Sequence, residues 1–297
     1  MTSPDDPRTV RRDWSQPWPG IWPWGDTPDS DILDEVTGPH SEPRPRPTAT
    51  PAGVYGRWLA GKDNRAHERV IAETMAEIAP FQRAGVTANR DWLATQIHDL
   101  VTQQQIRQLI DVGCGYPLPG ANLHEIAHRT APDARTVYVD NDEVVLAHAR
   151  ALMTDDASAT VVIDGDARYP DHLFDTLEAT GHLDLTRPVA LIFAAVLHLL
   201  TPDDDPARVV TACANRLAPG SYLLISHVAL PDEDDPRRQP TLDAAALYSR
   251  DVMPFTLRTY QDIAALFGPF TLLDPPGLAT PPTGTGSTLL AGTGRLS

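Results

Sequence analysis

Residues 111–120, D-V-G-C-G-Y-P-L-P-G, close an apolar run and open a glycine turn. In a dinucleotide-binding domain, G-x-G-x-x-G follows a strand and sets a pyrophosphate against a helix N-terminus, with the third glycine bringing amides close. Here Leu118 stands in that place, between Pro117 and Pro119. Proline carries no N–H, so the loop lacks donors where phosphate oxygens need them. The stretch therefore begins an α/β sheet while serving a pyrophosphate badly.

Working outward, strands are predicted at 106–112, 135–139, 160–163, 189–196 and 222–228, separated by helical stretches at 122–130, 143–153, 170–180 and 206–217. Alternation at this spacing means a parallel sheet with helices on both faces. Runs such as V-A-L-I-F-A-A-V suit central strands buried on both sides. An acidic segment, 231–258, reads as irregular, and a helix at 260–267 and strands at 270–273 and 287–291 follow. The last two strands are expected to pair antiparallel at a sheet edge. The sum is a seven-stranded, mostly parallel sheet.

Upstream, 65–79 carries Val70, Ile71, Met75 and Ile78 at helical spacing and is stopped by Pro80, and 87–104 shows Trp92, Leu93, Ile97, Leu100 and Val101 on one side. Residues 52–105 thus read as a helical cap and 106–297 as the sheet domain. Residues 1–51 hold 11 of the 29 prolines and 4 of the 6 tryptophans. Such proline density blocks helix and central strand. Disordered tails are poor in aromatics, so the rings are expected to dock, on the chain's own body or on a partner.

With 40 acidic against 24 basic side chains, the net charge of −16 repels phosphate polyanions at long range and argues against nucleic acid. Cys114 and Cys213 are the sole cysteines, which implies no disulfide framework and fits a reducing cytoplasm. The apolar run 189–200 is about half a membrane span, so no membrane segment is expected.

Three acids fall at strand ends: Asp111 before Gly113 and Gly115, Asp140 in Y-V-D-N-D, and Asp166 in D-G-D-A-R. Ligands of open α/β sheets bind there. A phosphate-free nucleoside ligand, S-adenosylmethionine, fits this order. The glycine turn admits its methionine part, Asp140 accepts the ribose hydroxyls, and Asp166, with Ala167 beside it, meets the adenine. Carboxylates also attract its sulfonium and ammonium charges. Each element alone is weak, since a strand-end Asp often only caps a helix, and Asp164 competes with Asp166 for the third role.

The runs V-Y-G-R-W-L-A-G-K-D-N, A-N-R-D-W-L, D-V-G-C-G-Y-P-L-P-G-A-N-L-H-E-I-A, V-Y-V-D-N-D-E-V-V-L-A-H-A-R-A-L and P-G-S-Y-L-L-I-S-H resemble the actinobacterial S-adenosyl methyltransferase family once known only as a domain of unknown function, over residues 52–292. The resemblance implies a Rossmann-like class I methyltransferase fold with a helical amino-terminal cap, and adenosylmethionine as cofactor. It carries the cofactor role to Asp111, Gly113, Gly115, Asp140, Asn141 and Asp166. Lys62, Asp63 and Asn64 match its G-K-D-N signature and are expected to fold over the cofactor mouth, or else to start a helix with Asn64 as cap. Departures from the pattern, Arg65 where an aromatic is usual and Gly56 where an acid is common, fall around the expected substrate mouth.

Methyl transfer needs a base only if the acceptor loses a proton. His198, after the fourth strand, is the candidate base, with His227 at the end of the fifth behind it, and both equally suit hydrogen-bonded structural histidines. Arg90 and Tyr55 are candidate contacts to a small-molecule acceptor, Arg90 to a carboxylate or merely to an acid of the cap. No metal site is read: His124, Glu125 and His128 give H-E-x-x-x-H, one residue too long for a zinc pair. The competing readings are a nicotinamide oxidoreductase, which needs the missing third glycine, and a non-catalytic adenosylmethionine-binding or partner-binding protein.

Overall fold

The strand that feeds the glycine turn is an interior strand of a seven-stranded sheet in the computed structural model, which describes residues 49–154, 159–273, 277–281 and 286–297. The expected docking of the tryptophan-rich tail lies outside the described residues. The strands are β1 Gln108–Val112, β2 Arg135–Asp140, β3 Thr160–Asp164, β4 Ala190–Ala194, β5 Tyr222–Val228, β6 Phe270–Leu272 and β7 Leu289–Leu296, in the order β3-β2-β1-β4-β5-β7-β6. Strands β1 to β5 pair in parallel, and β7 runs antiparallel to both β5 and β6. The closing strand runs to Leu296 rather than stopping at 291, through two glycines. A Cβ at Gly294 would lie 2.8 Å from the Phe267 ring, so glycine lets a core aromatic approach the backbone.

Helices cover both faces. On one lie α6 (Pro170–Thr180), α7 (Pro206–Ala214) and α9 (Tyr260–Ala265), burying Phe174, Leu177, Val209, Cys213 and Ile263 with Val139, Phe193 and Ile225 of the strands. On the other lie α3 (Phe81–Thr102), α4 (Leu123–His128) and α5 (Glu143–Leu152), burying Leu93, Ile97, Ile126 and Val145. Each fully buried Leu or Phe contributes about 2–3 kcal/mol by leaving water. Local chemistry sets the helix starts. Asp142 accepts from the Val144 and Val145 amides to open α5, and Asp205 accepts from the Arg208 amide ahead of Pro206 to open α7.

The cap differs from its sequence outline. Among the described residues three helices, not two, precede β1: α1 (Pro51–Trp58) starts where Thr50 accepts from the Gly53 amide and Pro51 takes the first helical position, and α2 spans Ala66–Ile78. The α3 helix begins at Phe81, six residues earlier than expected, and its apolar side belongs to the sheet core. The segment 231–258, read as irregular, holds the 14-residue α8 (Arg238–Asp251). Its Pro240 sits in the first turn, where the missing N–H costs nothing. Helices α1, α2 and α8 share one apolar cluster of Val54, Ile71, Met75, Ala244, Leu247 and Tyr248. That three-helix cap stands over the sheet's carboxyl edge.

Candidate active site

Strand order reverses between β1 and β4, which opens a crevice at their carboxyl ends. A cavity of about 520 Å³ lies there, lined by the glycine turn, the ends of β2 and β4, and the cap.

Gly113 takes φ 74°, its amide donates to the Val139 carbonyl at 2.8 Å, and a Cβ would stand 2.6 Å from Val196 Cγ2. Gly115 takes φ 65° and has nothing within 4 Å of the Cβ position, so the open side of the turn is bare backbone. The loop beyond explains why no phosphate is served. The amide of Leu118, the one N–H between the two prolines, donates to Asn122 Oδ1 at 2.8 Å. The Gly120 amide is likewise taken, by Glu125 Oε1.

Asp140 bridges the turn to α5: its Oδ2 accepts from the Gly115 amide at 3.0 Å and its Oδ1 from the Asp142 amide at 3.0 Å. Burial pushes its pKa up against the pull of those amides. Asp166 accepts from Arg168 Nε at 3.0 Å and from Asn141 Nδ2 at 3.2 Å. Burial alone would raise its carboxyl, but the Arg168 hydrogen bonds outweigh that and hold it below the ordinary value. Asn141, Asp166 and the buried Ala167 line the cavity, whereas Asp164 points to solvent.

Asp111 lies just behind the lining, 4% exposed, and burial raises its pKa to about 6 despite the nearby Arg90. Arg90 lines the cavity together with Tyr55, whose hydroxyl accepts from Asn89 Nδ2 at 2.9 Å. Both residues were expected on the acceptor side; they line the cavity within electrostatic reach of Asp111 behind the glycine turn.

Of the G-K-D-N residues, Asp63 and Asn64 line the cavity and Lys62 does not. Asp63 reaches His148 Nε2 of α5 at 3.8 Å, and the His148 ring meets Tyr116 edge-on at 5.1 Å, so the loop bridges the mouth. Asn64 is not the helix cap; it donates to the Gly61 carbonyl and accepts from Arg69.

The histidines depart from the base reading. His227 has both nitrogens committed, Nδ1 to the Val228 carbonyl at 2.8 Å and Nε2 to Arg258 at 3.0 Å, and does not line the cavity. It is a structural residue. His198 lines the cavity from a 3-10 turn after β4, stacked on Phe255 at 4.5 Å. Burial, His227 and Arg258 hold its pKa well below 6.5, and the Val228 amide faces its Nδ1 at 3.5 Å, which puts the ring proton on Nε2. A neutral imidazole so protonated is a donor and a poor base.

The half of the cavity under the cap is walled by Trp58, Met75, Thr241, Tyr248, Met253 and Phe255. Sequence reasoning found none of them, because four lie in the segment read as irregular and the other two look like ordinary core positions.

A family model described as S-adenosyl methyltransferase matches residues 44–283. A Thermobifida fusca protein, provisionally assigned as a methyltransferase, is 33% identical with a TM-score of 0.76, over 84% of this chain and 96% of its own. A DUF574 family protein from Streptomyces avermitilis is 31% identical with a TM-score of 0.77, over 84% of this chain and 98% of its own. No protein of curated function matches the chain in sequence.

Proposed function

The chain belongs to the S-adenosyl methyltransferase family, and from that premise we propose that it methylates a small-molecule acceptor held between the glycine turn and the three-helix cap. It is a class I enzyme that uses S-adenosylmethionine. The residues present fit that cofactor. The bare face of Gly115 leaves room where any side chain would intrude, and the Asp140 carboxylate, fixed from behind by two amides, has lone pairs left for ribose hydroxyls. Asp166, Asn141 and Ala167 take the adenine edge. Arg90 and the Tyr55 hydroxyl hold the methionine carboxylate, and the charge of Asp111 favours its ammonium group. Asp63 and Asn64 close the mouth.

When bound, the cofactor supplies a methyl group whose bonding electrons stay on the departing sulfur as the acceptor takes the carbon. The protein's part is alignment and the exclusion of water, the main sources of rate in such a displacement. His198 contributes by donating from Nε2 to the acceptor, which positions it.

The observation that carries this reading is the Asp140 carboxylate locked to the Gly115 amide beside an open glycine face. Calorimetric titration of the full chain with adenosylmethionine, adenosylhomocysteine and NAD tests it. The first two should bind and NAD should not. Asp140→Ala should weaken both by roughly tenfold to a hundredfold, the worth of hydrogen bonds to a charged group. Absence of heat with the adenosyl ligands would overturn the residue assignments.

A further inference from the structure

Resting on that cofactor placement, we propose that the acceptor is an uncharged, flat aromatic molecule whose polar edge meets the hydroxyls of Thr241 and Tyr248. The charged residues lining the cavity are Asp63, Arg90, Asp140, Asp142, Asp166 and Arg168, and all belong to the glycine turn, the strand ends, the loops over them or the Asp111 end of α3. Among the described residues the cap half has none. Its walls are Trp58, Met75, Met253, Phe255 and the Tyr248 ring, with His198 held neutral at the seam. A carboxylate or phosphate entering this half would lose its hydration and gain no counter-ion, at a cost of several kcal/mol. An ammonium group would find ring faces, but it would stand beside the cofactor's own positive charge.

The ring geometry selects a flat partner. Phe255 stacks on His198 with 29° between planes, and Tyr248 meets Phe255 edge-on at 5.0 Å. A third ring added to such a set gains offset or edge contacts that an aliphatic body does not.

Among the described residues, two hydroxyls in this half have no hydrogen-bond partner. Thr241 is 1% exposed and its Oγ1 has no hydrogen-bond partner among the described residues. Thr74, Thr95, Thr102, Thr176 and Thr211 all donate to the carbonyl four residues back in their helices, and Thr241 of α8 does not. Tyr248, two turns further along the same helix and 6% exposed, has its pKa driven far up by burial, with no hydrogen bond or charge acting on it. A buried hydroxyl without a partner costs about 1–3 kcal/mol. The fold carries that cost on the one wall where a ligand's oxygen or nitrogen would relieve it.

The test uses naphthol, its anionic and cationic counterparts naphthoate and naphthylmethylammonium, and the saturated decalol. Each is titrated into the full chain saturated with sinefungin, an adenosylmethionine analogue that carries an amine cation where the sulfonium would stand. Naphthol should bind at least about tenfold more tightly than either charged probe, and more tightly than decalol. Thr241→Val and Tyr248→Phe should each weaken naphthol by about fivefold, one hydrogen bond's worth, with sinefungin binding unchanged. Thr241→Val should also melt no lower than the parent, because it removes an unsatisfied group without changing volume. A charged probe or decalol matching naphthol, no naphthol binding to the loaded protein, or full naphthol affinity in both variants would each overturn the proposal. Failure of sinefungin itself to bind would instead overturn the cofactor placement, and this inference with it.

Discussion

At the residue level, three aspartates and two glycines spaced along the sequence pointed to the crevice where the cavity lies, because the carboxyl end of a parallel strand has one place to go. Their individual states are set by neighbours that spacing does not reveal. Asp140 and Asp166 are both half-buried acids, yet one is raised by burial and the other held low by Arg168. Asp111 yields a prediction. Its pKa is raised from 3.8 to about 6, so folding costs energy once it ionises; the cost grows as pH rises between those values and is complete above about 6, on the order of 3 kcal/mol. A cationic ligand relieves it. Adenosylmethionine should therefore bind more tightly at pH about 8 than at about 5, taking the carboxylate form of Asp111. In Asp111→Asn that pH dependence should shrink, while the ligand-free protein should melt higher at pH about 8. Calorimetry at the two pH values checks the first and a thermal melt the second; an unchanged pH dependence in the variant would remove Asp111 from the cofactor site.

Among the elements, the sheet was legible because buried parallel strands are short apolar runs with little else to resemble. The cap was not. Its α8 has a proline in its first turn and is flanked upstream by an acidic run, and its amphipathic face exists only against α1 and α2, so periodicity gave no signal. The clasp that joins α1 to α2 was equally silent. Glu68 is fully buried, and its carboxylate accepts from the Thr50 amide at 3.0 Å, the Thr50 hydroxyl at 3.0 Å and the Arg65 amide at 2.6 Å. It thereby satisfies the start of both helices at once. Glu68→Ala leaves three part-buried donors without their carboxylate partner and should cost about 1–3 kcal/mol. Hydrogen exchange should localise the loosening to residues 50–78, with the sheet amides still protected. Uniform loss of protection would mean the cap and the sheet unfold as one unit.

For the whole molecule, the cap and the sheet meet around two buried imidazoles, and that shapes the response to acid. Arg258 ties this seam together, donating to the carbonyls of Leu197 and Leu200 at 2.8 and 3.0 Å and to His227 Nε2 at 3.0 Å. Burial and then the Arg258 charge lower the pKa of His227 from 6.5 to about 3, and His198 moves the same way. Between those values the unfolded chain binds protons that the folded chain refuses, so stability falls as pH drops below about 6.5. By pH about 5 His227 should have cost roughly 2 kcal/mol, and His198 acts in the same sense. Asp111 works in the opposite sense over part of this range and offsets about 1.5 kcal/mol, which leaves a net loss. Protonation also relieves some repulsion within a chain of net charge −16, so the wild-type curve alone does not isolate the imidazoles. His227→Gln does, because glutamine keeps a donor for the Val228 carbonyl and an acceptor for Arg258 but has no proton to take up. Denaturant midpoints measured at pH about 7 and about 5, at one ionic strength, should converge by roughly 2 kcal/mol in the variant relative to the parent. Equal slopes in the two proteins would show that His227 titrates normally in the folded chain and that the seam between cap and sheet admits water.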